Sequence, residues 1–225
     1  MTELTKPRAI IFDWDDTIVD NWETAFKALN TALVHMGTEA WSEDEARRRS
    51  GPSARDLFTS LFGADRWQEA DKVYYETFCA IVFDNVKQHD NAENFLQMLH
   101  NNGIEMGVVS NKRNPLLRQE ITHLGFDKYF KEILGAGEAS ADKPNPAPLL
   151  LALERMGIEP GPDVWYLGDS HTDMMCALAA GCTPILLETK PPPEDLLIKN
   201  PPARRFRQHS DLMEYVRGYF GGPRP

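Results

Sequence analysis

Apolar residues gather along this chain in short unbroken runs rather than in strict alternation. Residues 8–12 read Arg-Ala-Ile-Ile-Phe and stop abruptly at Asp13-Trp14-Asp15-Asp16-Thr17. Similar runs occupy 105–109, 164–167 and 184–187. Runs of this length suit strands buried on both faces, as in a parallel sheet. Between them lie stretches with helical spacing: 94–100, 115–124 before Gly125, 146–156 before Gly157, and 172–180 before Gly181. Glycine just past a helix end is the residue that most readily takes the left-handed cap conformation. Strand alternating with helix predicts an α/β fold with a parallel sheet.

One segment breaks the alternation. Residues 22–86 keep helical spacing without a convincing buried strand: Ala25, Leu29, Ala32 and Leu33 form one set, and Trp67, Ala70, Val73, Tyr74 and Phe78 another. Gly51-Pro52-Ser53 and Gly63-Ala64-Asp65 mark breaks between helices. The pattern predicts a helical unit over 21–87 inserted after the first strand of an α/β core made of 1–20 and 88–225. The chain returns to that core near Gln88-His89-Asp90-Asn91. Prolines in 190–193 and 200–202 predict an exposed loop before a last helix over 211–219.

Charge narrows the partners. The 225 residues carry 24 Lys and Arg against 34 Asp and Glu, a net charge of −10. Nucleic-acid binders and electrostatic membrane anchors need a basic face, so neither is expected. No apolar stretch approaches the roughly 20 residues that span a bilayer, and the first residues lack the apolar core of a secretion signal. Cys79, Cys176 and Cys182 form no Cys-x-x-Cys pair, which argues against a disulfide framework or zinc ribbon and for a cytoplasmic setting. The six histidines contain no His-x-x-x-His pair for a metal.

The chemistry concentrates where strands end, since ligands of open α/β sheets sit beyond the carboxyl ends of the strands. Asp13 and Asp15 stand two residues apart at such an end. Their repulsion calls for a cation, and Mg²⁺ favours hard oxygen ligands while keeping waters for a phosphate. An acidic turn with Asp16 or Thr17 capping the next helix explains this pair equally well. Ser110 follows a second strand, Lys143 precedes a helix, and Asp169 and Asp173 follow a further strand. Each has an ordinary structural reading alone. Together they supply the carboxylates, hydroxyl and ammonium that phosphoryl transfer requires.

In this order the motifs resemble the haloacid dehalogenase superfamily, and within it the phosphoglycolate phosphatase-like group with a helical cap, over about 8–188. The resemblance implies a Rossmann-like core, Mg²⁺ as cofactor, and hydrolysis of a small phosphorylated metabolite, with phosphoglycolate one candidate. It assigns Asp13 as nucleophile and Asp15 as acid and then base. By the same resemblance Ser110 and Lys143 would bind the phosphate, Asp13, the Asp15 backbone carbonyl and Asp169 would hold the metal with Asp173 in support, and Thr17 would orient the loop. Asn111, beside Ser110, is a further substrate-binding candidate. Asp16 departs from the family's commoner glycine, and Trp14 from its usual phenylalanine. In the inserted unit, Arg55 is the candidate clamp for a substrate carboxylate. A sugar phosphomutase and a phospho-receiver domain are the competing functions; the long helical insertion argues against the receiver.

Overall fold

The computed structural model describes residues 4–189 and 192–221, so Lys190 and Pro191 of the first proline-rich stretch lie outside the described residues. Six strands form one parallel sheet in the order β5-β4-β1-β6-β7-β8: β1 (Ala9–Phe12), β4 (Glu105–Arg113), β5 (Glu132–Ala136), β6 (Val164–Gly168), β7 (Thr183–Leu187) and β8 (Arg204–Phe206). β1 is central, with Ala9 opposite both Glu105 and Val164. Its side chains alternate between two buried layers. Ile10 and Phe12 pack with α6 (Ala92–Asn101), α7 (Asn114–His123) and α11 (His209–Arg217); Ala9 and Ile11 pack with α8 (Ala147–Met156) and α9 (His171–Ala179). Burial on both faces is why these strands read as continuous apolar runs. Cys176 and Cys182 lie in the second layer.

The expected fold is present, with three strand elements that the apolar pattern did not announce. β5 and β8 are sheet edges, so their sequences, Glu-Ile-Leu-Gly-Ala and Arg-Arg-Phe, carry charge and small residues. Charged edges resist pairing with another sheet. The third is an antiparallel pair of two-residue strands, β2 (Val19–Asp20) and β3 (Lys87–Gln88). It brackets a block of five helices: α1 (Trp22–His35), α2 (Glu43–Arg49), α3 (Ala54–Phe62), α4 (Trp67–Cys79) and α5 (Val82–Asn85). Ser53 starts α3 by accepting from Asp56 N at 3.3 Å, and Gly63 ends it with φ +78°, so both anticipated breaks are helix boundaries. Ala32, Met36, Phe58 and Ala70 form one core of the block. Ala28, Phe78 and Val82 form another that reaches Leu116 of α7. A four-residue helix, α10 (Glu194–Leu197), follows the proline-rich stretch.

Parallel strands all point one way, so residues that follow β1, β4 and β6 meet at one edge of the sheet. The register between β4 and β5 slips between Val109 and Arg113, releasing Ser110, Asn111 and Lys112 from regular pairing. The helical block lies over this same edge.

Candidate active site

Asp13, just beyond β1, is anchored by its backbone N–H donating to Leu167 O at 2.8 Å. One carboxylate oxygen each from Asp13, Asp169 and Asp173 lies within 4.8 Å of the others. Lys143, buried to 1% exposure, sits among them, with Nζ 2.9 Å from Asp13 Oδ1 and 2.7 Å from Asp173 Oδ1. The other oxygen of Asp173 accepts from Ser170 N at 3.0 Å and Ser170 Oγ at 2.6 Å, closing a capping box on α9. Gly168 makes this approach possible: a Cβ there would fall 2.4 Å from the Asp173 carboxylate. Thr17 Oγ1 donates to Asp169 Oδ1 at 3.3 Å.

These carboxylates outnumber the cations beside them. Burial pushes Asp13 up to about 7; Asp173 and Asp15 add to the shift, and Lys143 opposes it. Burial raises Asp169 well above the usual carboxylate range, helped by Asp16 and Asp173. Burial pulls the Lys143 ammonium down, but Asp13 and Asp173 outweigh it and hold its pKa well above the ordinary lysine value. One ammonium does not neutralise the group, and its donors are all hard oxygens, so the cluster suits a hard divalent cation.

Asp15 stands apart from this cluster. Its Oδ1 accepts from Lys112 Nζ at 2.7 Å and from Asn21 Nδ2 at 2.9 Å. The same Lys112 nitrogen lies 2.7 Å from both oxygens of Glu120, which also accepts from Trp14 Nε1 at 2.8 Å and Asn21 Nδ2 at 3.0 Å. Glu120 is fully buried, and Lys112 lies 4.7 Å from the centre of the Phe78 ring on α4. Burial acts against the charge on Lys112, but Asp15 and Glu120 raise it overall; burial raises Glu120 more than Lys112 lowers it. Trp14, bulky for its position, therefore supplies a hydrogen bond to this network as well as volume.

The helical block is clasped to the sheet edge. Asn111 donates to Gly51 O at 2.8 Å and to Lys143 O at 2.9 Å, and accepts from Lys143 N at 2.9 Å. Gly51 has φ +113°, and a Cβ there would lie 2.9 Å from the Thr172 side chain, so a tight loop of the block rests on the start of α9. Arg55 donates to Asp142 Oδ2 at 3.0 Å, while Asp142 Oδ1 accepts from Gly137 N at 2.9 Å. Arg113 pairs with Asp71 of α4 and lies over the Tyr75 ring. A cleft of about 320 Å³ lies between block and sheet, with Asp13, Asp15, Ser110 and Asp169 among its lining residues.

Residues 10–187 match the family model of haloacid dehalogenase-like hydrolases. The chain belongs to that family. Among this hydrolase's relatives, the phosphoglycolate phosphatase of Yersinia pestis is 31% identical over 189 residues, covering 81% of each chain. The pyrophosphatase PpaX of Bacillus pumilus is 26% identical over 208 residues, 92% of this chain and 95% of the other. A solved HAD-superfamily hydrolase of Ehrlichia chaffeensis is 29% identical with a TM-score of 0.66, covering 97% of this chain and all of that one.

Of the residues singled out in the hydrolase's sequence, Asp13, Lys143, Asp169 and Asp173 meet in one cluster, with Thr17 touching Asp169. The Asp15 carboxylate is directed to Lys112 and Asn21 and is not part of the carboxylate group that could hold an ion. Ser110 is buried, and its Oγ accepts from Lys112 N at 3.3 Å. The Asn111 amide is engaged with Gly51 and Lys143, and the Arg55 guanidinium with Asp142. Sequence reasoning missed Lys112, Glu120, Asn21, Asp71, Arg113 and Asp142. A signal existed for Glu120: it falls at helical spacing on the stripe of Leu116, Leu117 and Ile121, an acid on an apolar face. No helix among the described residues is long and apolar enough to cross a membrane.

Proposed function

We propose that this hydrolase is a Mg²⁺-dependent phosphatase of small phosphate monoesters that works through an aspartyl-phosphate on Asp13. The observation that carries the reading is the Asp13 carboxylate lining the cleft, 2.9 Å from Lys143 and grouped with Asp169 and Asp173, with Asp15 held separately beside it. Relatives named for phosphoglycolate and pyrophosphate hydrolysis agree with a small phosphorylated substrate.

In this reading an Asp13 oxygen attacks phosphorus, and the bond from phosphorus to the alcohol oxygen breaks. Asp15 gives its proton to that leaving oxygen. Water then attacks the phosphorus of the aspartyl-phosphate, Asp15 takes the water's proton, and the bond to Asp13 breaks, returning free carboxylate and inorganic phosphate. Ser110 Oγ and Lys143 Nζ hold the phosphate oxygens, where donors aimed at developing charge lower the barrier. Asp13, Asp169 and the Asp15 backbone carbonyl would hold Mg²⁺, with Asp173 steadying the group through Lys143 and Ser170. The metal, when bound, offsets the repulsion between phosphate and carboxylates. Residues 21–87 serve as a lid that keeps bulk water from the intermediate.

Replacing Asp13 by Asn tests this, since it removes the nucleophile at nearly constant volume. Phosphate release with Mg²⁺ is expected to fall by about 10⁴ to 10⁶ with the unfolding temperature retained. A variant keeping a tenth of the wild-type rate refutes covalent catalysis at Asp13.

A further inference from the structure

The cavity wall carries three cations among the described residues, Arg55, Lys112 and Arg113. Each pairs with carboxylates of the chain, although the Arg55 and Arg113 side chains remain 46% and 43% exposed. Arg55 holds Asp142, whose side chain is 3% exposed; Arg113 holds Asp71, at 4%; Lys112 holds both Asp15 and the fully buried Glu120. Six aspartates, Asp13, Asp15, Asp16, Asp71, Asp142 and Asp169, line the same cavity as these three cations, so the wall is net negative. Lys143 lies beside Asp13 and serves the reacting phosphate. A second anionic group on a substrate therefore meets a net negative wall above the reaction centre, where like charges disfavour it.

Trp22, Trp67, Tyr74, Tyr75 and Phe78 of the helical block and Leu116 of α7 also line the cavity, whose volume of about 320 Å³ admits a ring. Small-molecule sites of this kind gain affinity from apolar contact and orientation from a few polar groups.

We infer that the preferred substrate is the phosphate monoester of an uncharged alcohol with an aromatic or branched apolar body, not a compact substrate with a second anionic group such as phosphoglycolate or pyrophosphate. This rests on the phosphatase reading and specifies what its leaving group is. Arg55 accordingly acts as a bolt between lid and sheet, and Asp142 keeps it from recruiting carboxylates.

The test compares kcat/KM for benzyl phosphate, phosphoglycolate and pyrophosphate with Mg²⁺. Benzyl phosphate and phosphoglycolate both release an alkoxide from a CH₂ group and differ in ring against carboxylate. Benzyl phosphate is expected to exceed both others by 10-fold or more, and Asp142→Asn, which frees Arg55, to narrow its lead over phosphoglycolate at least 3-fold. Equal efficiency, or a preference for phosphoglycolate or pyrophosphate, overturns the inference while leaving the phosphatase reading intact. Calorimetric binding of 2-phenylethylphosphonate and 3-phosphonopropionate, the non-hydrolysable counterparts, separates the two claims. If no ester is turned over, the phosphatase reading fails; tighter binding of the phenyl compound then still supports the apolar site, and tighter or equal binding of the carboxylate still overturns it.

Discussion

Glu120→Gln removes one charge from the centre of the Lys112 network at almost constant volume. Glu120 is fully buried and accepts from Trp14 Nε1 at 2.8 Å, Asn21 Nδ2 at 3.0 Å and Lys112 Nζ at 2.7 Å on each oxygen. Glutamine has one acceptor oxygen, so its NH₂ must face either Lys112 or the Trp14 and Asn21 donors. An orphaned buried donor costs about 1–3 kcal/mol. Stripping a buried charge of its partner costs about 3–5 kcal/mol, but Lys112 keeps Asp15 at 2.7 Å, which reduces this share. The expected loss is about 2–3 kcal/mol, a fall in unfolding temperature of roughly 4–12 °C at this chain length. Kinetics should respond too, because Glu120 and Asp15 share the Lys112 ammonium, which then bears on Asp15 alone. Protonation of a poor leaving group suffers, so single-turnover phosphorylation should slow about 10-fold more for an alkyl phosphate than for an aryl phosphate. An unfolding temperature within 2 °C of wild type refutes the energetic reasoning. An equal slowing of both substrates refutes the link to Asp15.

Exhaustive chelation should abolish phosphate release and added Mg²⁺ restore it, with Ca²⁺ restoring little because its looser shell misplaces the nucleophile; full activity in chelator contradicts a metal at Asp13 and Asp169. Gly51→Ala forces a Cβ to within 2.9 Å of Thr172 at φ +113°, so strain of about 1–2 kcal/mol in the closed lid should lower kcat/KM by roughly 5- to 30-fold; an unchanged kcat/KM shows that this loop does not close the site. His209 is buried, stacked 6.1 Å from His89, with its pKa lowered to about 3 by burial and then by His89. Its folded value lies below the unfolded one of about 6.5, so the unfolded chain binds the extra proton. Its contribution is complete above pH 6.5 and is lost as pH falls toward 3, by at most about 1.4 kcal/mol per pH unit. His209→Phe should flatten denaturant stability between pH 6.5 and 4.5, and an unchanged slope refutes this.

The legible parts of the fold were those with two buried faces. β1, β4, β6 and β7 lie inside the sheet and read directly as apolar runs; β5 and β8 at its edges, and the two-residue β2 and β3, carry too few inward residues to stand out. Asp13, Lys143 and Asp169 stood out because each adjoins such a strand or a helix start. Lys112, Glu120 and Asn21 did not, because their meaning comes from pairing across three separate elements. Arg55 was visible as a cation in a loop, but its partner Asp142 comes from 87 residues further along the chain. Local sequence shows a charge; only the packed structure shows whether that charge is already spoken for.

The place of β1 bears on how the chain assembles during synthesis. The strand is made first, yet its hydrogen-bonding neighbours begin at residues 105 and 164. The five-helix block follows β1 directly and makes its main contacts within itself, through α1 with α4 and α3 with α4, so it can form before the sheet does. Until β4 emerges, Ile10, Ile11 and Phe12 are an apolar segment with both edges unpaired, the kind of segment that aggregates with its like. The growing chain is thus most vulnerable between completion of the helical block and arrival of β4. Slowing translation in that interval should lower the yield of native protein more than slowing it after β6.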